Sequence, residues 1–182
     1  MYISRQLKES NIAEYLIYMW QVEDQIRATD LDIDKIRHNI IDKYSIDDAQ
    51  KKQLEDWYAG LIDMMRMEGV EKSGHLQINN NVIIQLNDLH ASLLASTKEP
   101  FYKAAYFKTL PYIVELRAKS NKKDESEIET CFEALYGLLM LKLQKKEISA
   151  GTAKAMEQVS SFVSMLANYY NKDRKGELKI ED

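Results

Sequence analysis

The chain has few of the residues that interrupt helices or build crosslinked and metal sites. Two prolines and six glycines in 182 residues leave little material for the frequent tight turns of a β-sandwich or barrel. A single cysteine, Cys131, excludes an intrachain disulfide and any multi-cysteine zinc or iron–sulfur site within one chain, and it fits a reducing compartment. No segment approaches the roughly 20 consecutive apolar residues that span a bilayer. The run Leu138-Leu-Met-Leu141 stops at Gly137 and Lys142. The apolar stretch from Ile12 to Val22 is interrupted by Glu14 and preceded by Lys8 and Glu9, which is not the pattern of a signal peptide. A cytoplasmic location without a membrane partner is therefore expected. The net charge is −4 and no basic stripe is present; the basic clusters at Lys119–Lys123 and Lys172–Lys175 lie in loop-like or terminal segments beside acids. Backbone-phosphate binding requires clustered Lys and Arg, so no nucleic-acid partner is expected.

Motifs that carry chemistry are absent as well. The residues three before His38, His75 and His90 are Lys35, Lys72 and Asn87, which excludes the paired Glu-x-x-His of di-iron bundles. There is no His-Glu-x-x-His, no glycine-rich phosphate loop and no Gly-x-Ser-x-Gly elbow. The alternating acids Asp30, Asp32 and Asp34 lack the sixth-position glycine and twelfth-position glutamate of a calcium loop. Cys131 stands beside Phe132 on the stripe Ile128, Phe132, Leu135, Leu139 and reads as a small core residue rather than a nucleophile. No catalytic residue, no metal and no cofactor is assigned.

What is present is helix. Apolar residues make up 45% and charged residues 30%, ordinary for a folded protein. Seven segments carry apolar spacing of helical period, several with caps: about 11–28, 31–44, 46–68, 75–96, 100–119, 125–146 and 150–171. Asn11 with Glu14, and Asp124 with Glu127, have capping-box spacing; Asp30, Ser45 and Ser149 read as further caps, and Gly69 as a C-terminal left-handed residue. Pro111 falls inside the fifth segment and predicts a kink or break near Leu110. The expected fold is all-α, a compact bundle of about seven helices with mostly antiparallel neighbours. A single domain covers residues 1–171, with a polar, flexible tail at 172–182. The sixth and seventh segments are apolar on more than one side, which places them centrally in the bundle or against a second copy of the chain; both readings stay open.

A few polar residues occupy costly places. With Ile12 at zero on the first helix, Glu23 falls near 20° at 100° per residue, in the centre of the face formed by Ile12, Leu16, Met19 and Ile26. Arg27 lies one turn on in the favourable order for an ion pair. A buried carboxylate requires a partner, so Glu23 is expected to pair with Arg27, or with another basic group if Arg27 points away. His90 sits beside the stripe Val82, Leu86, Leu89, Leu93. Eleven tyrosines, Tyr15 among them, offer hydroxyls at the rim of a core. Glu23, Arg27, His90 and Tyr15 are thus the candidate ligand-binding residues, against the alternative that they are structural.

The stretch from Ile12 to Ala28, with Leu86-Asn-Asp-Leu-His90, resembles a family of uncharacterised all-helical proteins of about this length from Bacteroidetes bacteria, a domain of unknown function. The resemblance implies a bacterial cytoplasmic setting and one domain, and brings no activity or cofactor. Two functions remain open: a non-enzymatic helical interaction or scaffold protein, self-associating through the sixth or seventh helix or binding another protein; or a ligand binder or enzyme with a polar pocket around Glu23, Arg27 and His90.

Overall fold

The computed structural model describes residues 2–120 and 125–180. Helix accounts for 78% of the described residues, and no strand occurs among them. The elements are α1 (Tyr2–Ser10), α2 (Ile12–Ala28), α3 (Ile33–Asn39), a 3₁₀ turn (Ile41–Lys43), α4 (Asp48–Met67), α5 (Gln77–Ala95), α6 (Pro100–Lys119), α7 (Glu127–Leu143) and α8 (Ala150–Arg174).

The caps explain where the helices start. Asn11 accepts from the Ala13 and Glu14 amides and donates to Glu14 Oε1 at 2.9 Å, so the Asn11–Glu14 spacing does mark a cap. At α3 and α4 the cap lies two residues beyond the expected one. Asp32, not Asp30, caps α3, because Asp30 and Leu31 take left-handed φ values of 58° and 55° and close the preceding helix. Asp47 with Gln50, not Ser45, forms the capping box of α4. Ser126 caps α7; Asp124 lies outside the described residues. Ser149 caps α8 and Gly69 has φ 70° beyond α4, both as expected.

Three features depart from the sequence reading. Helix α1 lies ahead of the first expected segment. The second segment is shorter, α3 followed by the 3₁₀ turn. And α6 is helical without interruption from Pro100 to Lys119. Pro111 is exposed, as is Phe107, whose carbonyl the missing amide would have bonded. Water can serve that carbonyl, so the missing bond does not break the helix.

Helix α8 is the hub, packing on α2, α5, α6 and α7. It buries Met156, Val159, Phe162, Val163 and Leu166. Its length exceeds the expected limit and ends at Arg174; beyond it Leu178 and Ile180 are half-buried against the core. Helix α2 supplies Ile12, Leu16, Met19, Trp20 and Ile26 to the same core. The second half of α7 is half-buried and ends on Leu143, which is exposed. No helix among the described residues is long and apolar enough to cross a membrane.

Candidate functional site

Glu23 is fully buried at 0% exposure, as its place on α2 predicts, but Arg27 is not its partner. The carboxylate accepts from His75 Nδ1 at 2.6 Å, the Leu76 amide at 3.0 Å and Asn79 Nδ2 at 2.6 Å. Arg27 instead pairs with Asp24 at 2.9 Å and donates to the carbonyls of Val70, at 3.1 Å, and Gly74. The two residues do not pair; the head group of each is taken up by the loop between α4 and α5. Each grips that loop separately.

The grip has an electrostatic purpose. Leu76, at the N-cap position of α5, has no side chain that can cap. The free amides of a helix start need acceptors and favour negative charge. Glu23 supplies an acceptor at Leu76 from α2, and Glu68, just past α4, supplies another at the Gln77 amide, at 2.7 Å. α5 is thus capped in trans by two carboxylates.

His75 carries the most chemistry in the cluster. Its ring stacks on Trp20, centroids 4.1 Å apart and planes 11° from parallel. Glu23 holds Nδ1, and Glu133 Oε1 lies 3.9 Å from Nε2. Burial alone would lower the imidazole; the Glu133 and Glu23 carboxylates outweigh it and hold it up at about 9. At neutral pH His75 is therefore a cation between two carboxylates, a poor general base. Beside it, Tyr136 donates to Asp24 at 2.5 Å, and burial followed by that bond raises the phenol above its ordinary range. Trp20 Nε1 and Asn79 Oδ1 are buried without a hydrogen-bond partner among the described residues.

The remaining candidates lie elsewhere. His90 is eleven residues beyond Asn79 on α5, about 16 Å along the axis. Its Nδ1 meets the Tyr102 hydroxyl at 2.6 Å, and Nε2 is 3.9 Å from Glu127, which accepts from Tyr106 at 2.8 Å. Burial lowers the imidazole, Glu127 only partly opposing it, so His90 is a neutral core residue among Tyr102, Tyr106 and Phe162. Tyr15 borders a separate cleft of about 740 Å³ with Ile3, Lys8, Tyr44 and Leu54; burial and then nearby Glu23 raise its phenol. Glu23, Arg27, His90 and Tyr15 do not converge on one pocket. His75, Asn79, Trp20 and Glu133, which do gather at Glu23, come from α2, α5, α7 and the α4–α5 loop, and no spacing in the sequence connects them. Among the described residues no group of three His, Cys, Asp or Glu side chains could hold a metal ion.

The surface holds a second feature. Ala104, Phe107, Pro111, Val114 and Ala118 are all exposed, with Phe107 at 62% and Val114 at 58%. At 100° per residue they fall within an arc of about 80°, a continuous apolar stripe along α6. The opposite face buries Tyr102, Tyr106, Thr109 and Ile113. Phe101, 81% exposed, lies at the start of the same helix.

Comparison with curated proteins and with solved structures gives no match. Residues 1–177 match the model of the family described as Domain of unknown function (DUF4924), and the chain belongs to that family, in keeping with the resemblance carried by its α2 segment.

Proposed function

We propose that this chain is a non-enzymatic helical interaction protein, acting through the exposed apolar stripe of α6. The observation that carries the reading is that stripe: contiguous surface apolar residues mark contact sites more often than isolated ones do. The polar residues that could have made a pocket support it by their pairing. Glu23 and Arg27 hold the α4–α5 loop, His90 holds Tyr102, and the two groups are apart. A cytoplasmic bacterial setting, with no nucleic-acid or membrane partner, fits the reducing chemistry of a lone buried Cys131 and the absence of a basic stripe.

The test is native mass spectrometry of the protein purified from the cells that make it. The expected result is a protein complex, with itself or another chain, and no retained small molecule. A monomer carrying a stoichiometric small molecule overturns the reading. That outcome would favour a second one, ligand binding beside His75, for which the unpartnered Asn79 Oδ1 and Trp20 Nε1 are the specific observation.

A further inference from the structure

The stripe on α6 is self-complementary about a point near its middle. Its residues alternate at spacings of four and three: Ala104, Pro111 and Ala118 take one heptad position, Phe107 and Val114 the other. This is the pattern of a two-helix seam. On the flank, Lys108 and Glu115 are both exposed and stand one heptad apart.

From this we propose that two copies of the chain form a two-fold symmetric dimer in which α6 packs antiparallel on α6. The proposal rests on the reading of the chain as an interaction protein and names its partner. With the axis between residues 112 and 113, Phe107 lies opposite Ala118 of the second copy, and Pro111 opposite Val114. Large meets small at both ends of the seam. Symmetry repeats each contact, as an isologous interface requires. The same register sets Lys108 opposite Glu115 of the second copy, twice.

Charge also rejects the alternatives. Sliding one helix by a heptad sets Lys108 against Lys108 in one direction and Glu115 against Glu115 in the other. A parallel pair would bring Lys103 against Lys108. Like charges at flanking positions are how such seams exclude wrong registers and orientations. Within one helix Glu115 also meets Lys119 at 2.6 Å; both side chains are exposed, and a carboxylate with two oxygens can take a second cation. The interface is distinct from α7 and α8, whose all-round apolar character the sequence shows most plainly, because α8 is covered by its neighbours.

A contact of a few helical turns is small, so a dissociation constant in the micromolar range is expected. Sedimentation equilibrium over about 1–500 µM, a span wide enough for such an affinity, reads it on the full chain. The parent is expected to dimerise. Phe107→Asp and Val114→Asp are each expected to weaken the dimer at least about 100-fold, since both introduce charge into the seam. Both sites are exposed, so circular dichroism and the thermal midpoint of the monomer should be unchanged. Lys108→Glu and Glu115→Lys should each weaken the homodimer. An equimolar mixture of these two variants should form a mixed dimer, because opposite charges again face each other at both positions. A parent monomeric throughout the range overturns the proposal, as does a dimer indifferent to Phe107→Asp, or a mixture that forms no mixed dimer. If the parent is monomeric but the cellular protein carries another chain, only the choice of partner has failed. If it is monomeric and carries a small molecule, the interaction reading has failed as well.

Discussion

Replacing Glu23 with alanine tests the account of the buried cluster most directly. The residue is 0% exposed and accepts three hydrogen bonds, from His75, the Leu76 amide and Asn79. Leu76 and Asn79 are themselves 0% exposed, so the Leu76 amide and Asn79 Nδ2 lose the acceptor they have among the described residues. A buried donor left unsatisfied costs about 1–3 kcal/mol. Removing one partner of a buried ion pair costs about 3–5 kcal/mol. The terms overlap, because water entering the space left by the side chain serves some of the orphaned groups, and about 4 kcal/mol is expected for Glu23→Ala. Glu23→Gln keeps the shape and one acceptor but turns an amide donor toward the others, so about 2 kcal/mol is expected by the same cost per donor. Urea unfolding followed by circular dichroism measures both. Double-mutant cycles assign the partner: Glu23→Ala with His75→Ala should show a coupling at least about 1 kcal/mol larger than Glu23→Ala with Arg27→Ala, since only the first pair is in contact. A loss below about 1 kcal/mol, or the reverse order of couplings, would refute the trans-capping account.

Stability should depend on pH in opposite senses at the two histidines. His75 is raised from 6.5 to about 9, so its contribution is complete below about 6.5 and is lost as pH rises through about 9; the urea midpoint should fall across that window in the parent and not in His75→Ala. His90 is lowered by burial; its contribution is complete above its ordinary 6.5 and is lost as pH falls below it, which NMR of the ring protons can follow. Tyr102→Phe removes the hydroxyl from His90 Nδ1 and should cost about 1–2 kcal/mol in the same unfolding assay. Cys131 is buried and its thiol is pushed up to about 12 by burial and then by Glu127. It should resist a thiol reagent at pH 8 until denaturant is added, and rapid reaction of the native protein would contradict the buried placement.

The apolar periodicities were enough to read most of the helices because they bury one face at helical spacing, as in Leu54, Tyr58, Leu61, Ile62 and Met65 of α4. Helix α1 was not legible. Among its described side chains it sets Leu7 and Ser4 against the core, too few for an apolar repeat, and the strong cap at Asn11 marks the helix that follows. Glu23 was legible as a buried group from its angle on α2 alone. Its partner was not, since His75 reaches it across a loop of the tertiary fold and Arg27 has the better local spacing. The α6 stripe was not legible for a related reason. A helix apolar on two opposite faces has almost no amphipathic signal, and which face is left uncovered is decided by the neighbours.

Capping in trans also orders events in time. α5 has no capping side chain at Leu76, and the acceptors for its first turn come from residues 23 and 68. In a chain not yet collapsed the start of α5 is therefore undefined, because a helix nucleus is costly and nothing local anchors it. α4 and α8, which hold their own caps at Asp47 and Ser149, can form turns before they dock. The start of α5 must wait for α2 and α4 to meet, making it a late, non-local event. Folding φ-values near zero for Glu23→Gln, beside higher values at Asp47→Ala, are the kinetic signature of that order.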